Sequence, residues 1–252
     1  MITQKDLALY LDAFLDCANY ADYAPNGIQI EGKNKIERIC TAVTAASASI
    51  DQAIAHQADA LLVHHGYFWH GENPVIVGTK KMRISKLLAA NITLFAYHLP
   101  LDCHLLLGNN AAMAKFFQFS WLKQHRIEKI SNLLWQGLLI ESMTAAAMGD
   151  YLENKLGRAP IYIAGSSKAI KNIAWCTGAA QDLIEQAHVL EADTYLSGEI
   201  AERTYYQALE LGMHYFACGH HATERYGIKK LGEHLATKFS LKHFFIDSLN
   251  PV

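Results

Sequence analysis

The chain has 252 residues, 51% of them apolar and 18% charged, which excludes intrinsic disorder and supplies enough core for one or two domains. Its formal net charge of −2 argues against a protein held to nucleic acid or to an anionic membrane by bulk electrostatics. No apolar run approaches the roughly 18 residues of a spanning helix. Met1-Ile-Thr-Gln-Lys-Asp also lacks a secretory signal's basic start and apolar block, so a cytoplasmic location is expected.

Taken in chain order, Thr3 is expected to N-cap a helix that lines up Leu7, Leu11, Phe14 and Leu15 on one face. Ile39–Val43 reads as a strand, small residues and a helix follow, and Ala60–Val63 is a second strand. That is a βαβ unit with a right-handed crossover. Ile92–His98 is a third apolar run. The pattern then recurs. Residues 36–65 and 170–199 agree, without gaps, at 10 of 30 positions, where unrelated segments share roughly two. Strands are expected at Ile173–Thr177 and Thr194–Leu196, and Met213–Gly219 aligns with Ile92–His98. The predicted fold is therefore α/β: two related halves from an internal duplication, with mixed sheets flanked by helices. The halves are expected at 1–125 and 126–252, packed as one body, with Leu138–Tyr162 an added strand and helix in the second.

The five cysteines (Cys17, Cys40, Cys103, Cys176, Cys218) are scattered and odd in number, so buried free thiols are expected rather than a disulfide framework or a zinc knuckle. Thirteen histidines are about twice an ordinary share. Histidine is the commonest metal ligand and the acid or base suited to neutral pH.

Metal-type side chains collect at three predicted strand ends, where open α/β sheets bind ligands. In Leu61-Leu-Val-His64-His65-Gly66 two histidines leave a strand at a turn; the alternative is a structural pair capping it. In His98-Leu-Pro-Leu-Asp102, Pro100 is expected to hold the chain extended. Asp102 can share a cavity with His98, or N-cap a helix through Leu105–Leu107, or both. After a strand at His214–Cys218, His220 and Glu224 stand one helical turn apart on one face, while His221 points elsewhere as polar surface; the alternative for Glu224 is a first-turn carboxylate favoured by the helix dipole. Together they offer His64, His65, Asp102, His220 and Glu224, with His98 in reserve. That is more than one four-coordinate zinc requires and suits two borderline cations bridged by a carboxylate, for which Glu224 is the choice.

HHGYFWHGENPVIVG, ITLFAYHLPLDCHLLLGNNAAMA and GHHATERYG, with DYAPNGIQIEG and VTAASASIDQAI, closely resemble the dinuclear metal-centre family of type 2 homologues of GTP cyclohydrolase I (Nif3-like). The resemblance spans nearly the whole chain and is densest at 22–115 and 193–228. It implies two related α/β domains, and two divalent metals on the positions of His64, His65, Asp102, His220 and Glu224, with the glutamate touching both. It also implies a toroidal homohexamer whose metal sites face an internal cavity. Where many relatives carry an aspartate after the glycine, this chain has Ser197-Gly198-Glu199. Glu199 either lines the same cavity without binding metal or is a helix-start carboxylate.

The expected function is a metal-dependent hydrolase of a small molecule, with metal-activated water as nucleophile. His98 would orient that water or donate a proton as the tentative catalytic residue. Tyr67, Phe68 and Trp69 are candidates for a wall that stacks a flat ring, or for core beneath the metal loop. A non-enzymatic metal buffer, chaperone or sensor is the alternative, and a toroid that encircles DNA ranks third, since Lys80-Lys81 and Lys229-Lys230 are the only lysine pairs. No GxSxG or phosphate loop is present. Imidazole and carboxylate do not choose among Zn, Fe, Mn, Ni and Co.

Overall fold

The structure, a computed structural model, describes residues 1–252. In chain order its first elements are β1 (Ile2–Thr3), α1 (Gln4–Phe14), β2 (Gly27–Ile30), β3 (Lys35–Ile36), β4 (Arg38–Thr44), α2 (Ser47–Ala55), β5 (Ala60–His65), α3 (Gly78–Ala89), β6 (Thr93–Ala96) and α4 (Leu99–Asp102). Then come α5 (Asn109–Phe116), β7 (Ser120–Ile127), β8 (Ile130–Met143), α6 (Ala145–Leu156), β9 (Ile161–Ile163), β10 (Ile170–Trp175), α7 (Ile184–Val189) and β11 (Thr194–Ser197). The last are α8 (Glu202–Glu210), β12 (His214–Ala217), α9 (His220–Phe239) and β13 (Lys242–Phe245). None of the helices is long and apolar enough to cross a membrane.

The fold is mixed α/β, in two compact units. The first comprises Met1–Leu101 with Gly227–Ser248, the second Asp102–Tyr226 with Leu249–Val252. The expected boundary at residue 125 is replaced by crossings inside α4 and α9. Asp102 thus belongs to the second unit instead of the first, and the chain after Gly227 returns to the first. The return has a hydrophobic cause: Ile228, Leu231 and Leu235 of α9 are buried with Leu7 and Leu11 of α1, and β13 pairs in parallel with β4.

In the first unit the strand order is β13-β4-β5-β6-β2, parallel except for the antiparallel edge β2. Strand alternation splits its core between two faces. Ala60 and Leu62 join the layer with α1 and α9, whereas Leu61 and Val63 join that with α2 and α3. Thr3 N-caps α1 as expected, its hydroxyl oxygen accepting from the Asp6 N–H at 3.1 Å. The second unit has the order β7-β8-β10-β11-β12-β9, in which β10, β11 and β12 are parallel and β9 is the antiparallel edge. Trp175, Leu196 and Phe216 pack with α5 and α6 on one face; Ala174, Tyr195 and Tyr215 pack with α7 and α8 on the other.

The two sheets match in detail. Ile39 pairs with Ala60 and Ile173 with Thr194, at the 134-residue offset of the sequence repeat. Asp59 precedes β5, and its Oδ2 accepts from the Glu37 and Arg38 N–H groups, both at 2.9 Å. Asp193 precedes β11, and its Oδ2 accepts from the Lys171 and Asn172 N–H groups at 2.9 and 2.7 Å. The helix ends before these strands also agree, with Gln57 and Glu191 both left-handed at φ 53° and 56°. An aspartate that ties the start of one strand to the entrance of the next is thus the shared device of both frames. All five cysteines are free thiols, and all but Cys17 are buried.

Candidate metal centre

In the first unit, β5 delivers His64 and His65 at its carboxyl end. Successive strand residues leave opposite faces, but the end of the strand brings the two rings to 4.5 Å between centroids. His64 is fully buried and its Nδ1 donates to the Tyr97 carbonyl at 2.9 Å, which leaves Nε2 as the lone-pair nitrogen. His65 Nδ1 lies 3.3 Å from Thr44 Oγ1. Gly66 is needed for close approach rather than for a left-handed turn: a Cβ there would run into the Gln29 side chain, which brackets Tyr67 through both its N–H and its carbonyl.

His98 follows β6, 5.0 Å from the His64 ring and 5.9 Å from that of His65. A nitrogen from each of the three imidazoles lies within 4.8 Å of the others. His98 Nδ1 donates to Asp22 Oδ1 at 2.9 Å, and Asp22 Oδ2 accepts from the Leu99 N–H at 2.8 Å. Burial raises the Asp22 pKa, but His98, Asn26 and the Leu99 N–H outweigh it and hold the carboxyl below its ordinary value. The chain does not stay extended after His98. Pro100 instead sits in the first turn of the short α4, where its fixed φ and missing N–H cost nothing.

The aromatic triplet divides. Tyr67 is core, buried with its hydroxyl donating to the Ala45 carbonyl at 2.6 Å. Phe68 is exposed under the Lys80 ammonium. Trp69 turns to the histidines and meets His98 edge-on at 5.0 Å, beside Tyr23 at 4.9 Å.

In the second unit, Asp102 ends α4 and caps no helix: 105–107 form a turn, in which the Leu107 N–H bonds His104 Nδ1 at 3.1 Å, and α5 starts only at Asn109. Asp102 Oδ1 is held by Asn109 Nδ2 at 2.8 Å and by the Thr177 hydroxyl at 3.3 Å. Asn110 stitches the same corner, donating to the Asp102 carbonyl at 3.3 Å and accepting from the Thr177 N–H at 3.1 Å. His220 opens α9. Its Nδ1 donates to Glu199 Oε1 at 2.6 Å, and its Nε2 lies 2.9 Å from Glu224 Oε2, the i,i+4 pair expected from sequence.

Burial pulls the His220 pKa down, but Glu224 and Glu199 overcome it and raise the imidazolium to about 9. Glu199 therefore positions His220 rather than starting a helix: α8 begins at Glu202, and the Tyr215 hydroxyl anchors the Glu199 carbonyl. His221, expected as polar surface, is buried, with its N–H donating to the Val252 carbonyl at 2.9 Å.

Gly178 makes room for Glu224. Its φ is +70°, and a Cβ there would run into Glu224 Oε1. Thr177 on Asp102 and Gly178 against Glu224 thus bring both carboxylates to the loop that follows β10. The buried Cys176 thiol precedes this loop, and its pKa is raised far above its ordinary value by burial, then by Asp102 and Glu224.

The donor set fits divalent metal. Ligating imidazoles ordinarily give their other N–H to a carboxylate or carbonyl, and ligating carboxylates are themselves hydrogen-bonded. His64 on Tyr97, His220 on Glu199 and Asp102 on Asn109 all follow that rule. The partners Asp22 and Thr177 escaped the sequence reading because they lie in loops tens of residues from their targets, and Asn109 because its seven-residue spacing from Asp102 matches no regular element.

The profile of the Duf34/NIF3 (NGG1p interacting factor 3) family matches residues 2–251. The chain belongs to the Duf34/NIF3 family. Its relatives include the "GTP cyclohydrolase 1 type 2 homolog" of Allochromatium vinosum, 47% identical over 251 residues and covering 100% of this chain and 98% of that one. The Escherichia coli protein of the same name is 41% identical over 247 residues, covering 98% of each. Among solved structures, protein ybgI, described as of unknown function, superposes with a TM-score of 0.95 at 40% identity over all of both chains. Reduced HcgD from Methanocaldococcus jannaschii shares the family fold, with a TM-score of 0.83 at 21% identity over 98% of each chain.

Proposed function

We propose that His64, His65, Asp102, His220 and Glu224 bind two divalent cations per chain, with Glu224 bridging them, and that the protein is a metal-dependent hydrolase of a small molecule. The observation that carries this reading is the outer hydrogen bonding of the ligands. His64 and His220 each give Nδ1 to a fixed acceptor and Asp102 has Oδ1 held, which orients the remaining donor atoms before any metal arrives. Bound cations supply Lewis acidity to water and to the oxygen of a scissile group.

The chain's own residues supply the rest. His98 is outside the proposed ligand set, and Asp22 fixes its Nδ1–H, so Nε2 is the nitrogen that takes or delivers a proton. Tyr23 and Trp69 pack their edges around His98 and limit water beside it. The relatives' name points to nucleotide-like substrates, and a homohexamer is the assembly proposed with it.

A metal-handling protein needs the same ligands but not the oriented spare base. The test is metal content against turnover, on protein purified without chelator, for the parent, Glu224→Ala, His64→Ala and His98→Ala over a panel of nucleotides, phosphoesters and amides. Two metals in the parent, loss in the two ligand variants, and turnover lost but metal kept in His98→Ala are expected. Equal and negligible turnover in the parent and His98→Ala would replace the hydrolase by the metal-handling reading. Less than one metal per parent chain under all loading conditions would overturn the site itself.

A further inference from the structure

A second concavity lies in the first unit, at the amino ends of the strands whose carboxyl ends carry His64, His65 and His98. It encloses about 530 Å³, within the range of small-molecule sites, and is lined by Lys33, Lys35, Arg38 and Lys242, with Glu37 and Asp59 as the carboxylates. The six residues of β5 separate it from His65 by roughly 20 Å. In a chain of net charge −2, four cations at one cavity are a local excess.

The carboxylates cancel only part of that excess: Asp59 pairs with Lys33, and Glu37 is the second carboxylate against Lys35, Arg38 and Lys242. Asp59 is consumed by the frame: it accepts from the Glu37 and Arg38 N–H groups and from Lys33 Nζ at 2.6 Å. Arg38 spends only Nη1, on the Gln57 side chain at 2.9 Å and on the carbonyls of the same turn. Its Nε and Nη2 and the ammonium groups of Lys35 and Lys242 remain to face a ligand.

The matched frame in the second unit shows that the fold does not require these cations. There Asp193 makes the same two backbone bonds, yet the counterparts of Lys33, Lys35 and Arg38 are Ser167, Ala169 and Asn172; Lys168 and Lys171 stand instead at the places of Asn34 and Glu37, and Lys171 donates to the Ile140 carbonyl at 2.8 Å. Lys242 stands on β13, a parallel neighbour of β4, whereas the corresponding side of β10 is filled by the antiparallel β8. Three lysines and an arginine are thus gathered where the same architecture stands with two lysines at other positions.

We propose that this cavity binds the phosphoryl group of a small molecule. Lysine serves phosphate as a point charge and arginine as a planar fork. A half-open hollow with one group of cations, instead of a basic stripe, suits a single small ligand over a polymer.

The test titrates the metal-loaded protein with inorganic pyrophosphate, AMP and a 12-nucleotide oligomer, by calorimetry and by the shift in Tm. The parent is expected to bind pyrophosphate more weakly as salt rises. K35E/K242E should lose at least about tenfold in affinity and K35Q/K242Q less, both with unchanged metal content. Binding of AMP as well assigns the cavity to organic phosphates, and binding of pyrophosphate alone assigns it to the free anion; either supports the proposal. Absence of binding in the parent at 10 mM overturns it. So does binding untouched in K35E/K242E but lost in His220→Ala, which would put the anion at the metal ligands. Tighter binding of the oligomer than of pyrophosphate would replace the small molecule by nucleic acid.

Discussion

The ends of β5 and β11 occupy equivalent places in two matched frames and present different chemistry. In the first unit, Thr44, His64 and His65 bring side chains to the strand ends. Their counterparts at the 134-residue offset are Gly178, Gly198 and Glu199. The two glycines have vacated the strand ends because α9 enters there: Gly198 lies against the Cα of His220, and Gly178 against the Glu224 carboxylate. The donors then come from the helix, and Glu199, expected to line the cavity or to start a helix, is the partner of His220. One frame can therefore deliver metal-type side chains from a strand or from a helix start, and in the second unit the helix start is admitted by strand ends reduced to glycine.

The sharpest way to break this comparison is Gly198→Ala. Its Cβ would meet backbone of Gly178 and His220, which cannot swing aside, so a loss of about 3 kcal/mol is expected in urea unfolding. An alanine accepted within 0.5 kcal/mol would show that the glycine is not there for close packing. Next come the paired aspartates. Asp59→Ala and Asp193→Ala each orphan two backbone N–H groups, and each is expected to cost about 2 kcal/mol. Costs differing by more than about 1 kcal/mol would show that the two frames are not energetically equivalent.

The two carboxylate–histidine pairs should separate by readout. Glu199→Gln, behind a proposed ligand, should weaken metal binding about 10-fold or more, measured by competition with a chromogenic chelator. Asp22→Asn, behind His98, should leave metal affinity unchanged and reduce turnover. The reverse pattern would exchange the roles of His98 and His220.

The smallest effect appears only in acid. Burial raises the Asp59 pKa, but Lys33 and the two backbone N–H groups outweigh it and hold the carboxyl below its ordinary value. A depressed carboxylate contributes stability above its unfolded pKa of about 3.9, lost as pH falls through the lower folded value. Asp59→Asn should therefore have a flatter stability profile below about pH 4, and an unchanged slope there would remove Asp59 from the acid transition.

Much of the candidate site was legible because its residue types are rare and local. Two adjacent histidines before a glycine, an i,i+4 His–Glu pair after an apolar strand, and a 134-residue repeat are short-range patterns, and a strand or a helix start keeps such residues together whatever the rest of the chain does. Legibility failed where a local preference met a distant partner. Of the two readings of Asp102, cavity-facing carboxylate and helix cap, the cap fails: Thr177, 75 residues away, and the nearer Asn109 engage its Oδ1. Pro100 looked like a mark of extended chain, but α4 accepts it in its first turn.

The sequence by itself determined the α/β class, the parallel strand triplets with their repeat, and which side chains are candidates for metal chemistry, because periodicity and residue type act within a few residues. Only the tertiary structure decided that α9 divides between the two units and that Glu199 serves His220. It also decided that Asp22 serves His98 and that four cations of the first unit line one cavity. Those outcomes depend on which surfaces bury which, and a carboxylate's role is set by whichever donor the packing brings within about 3 Å of it.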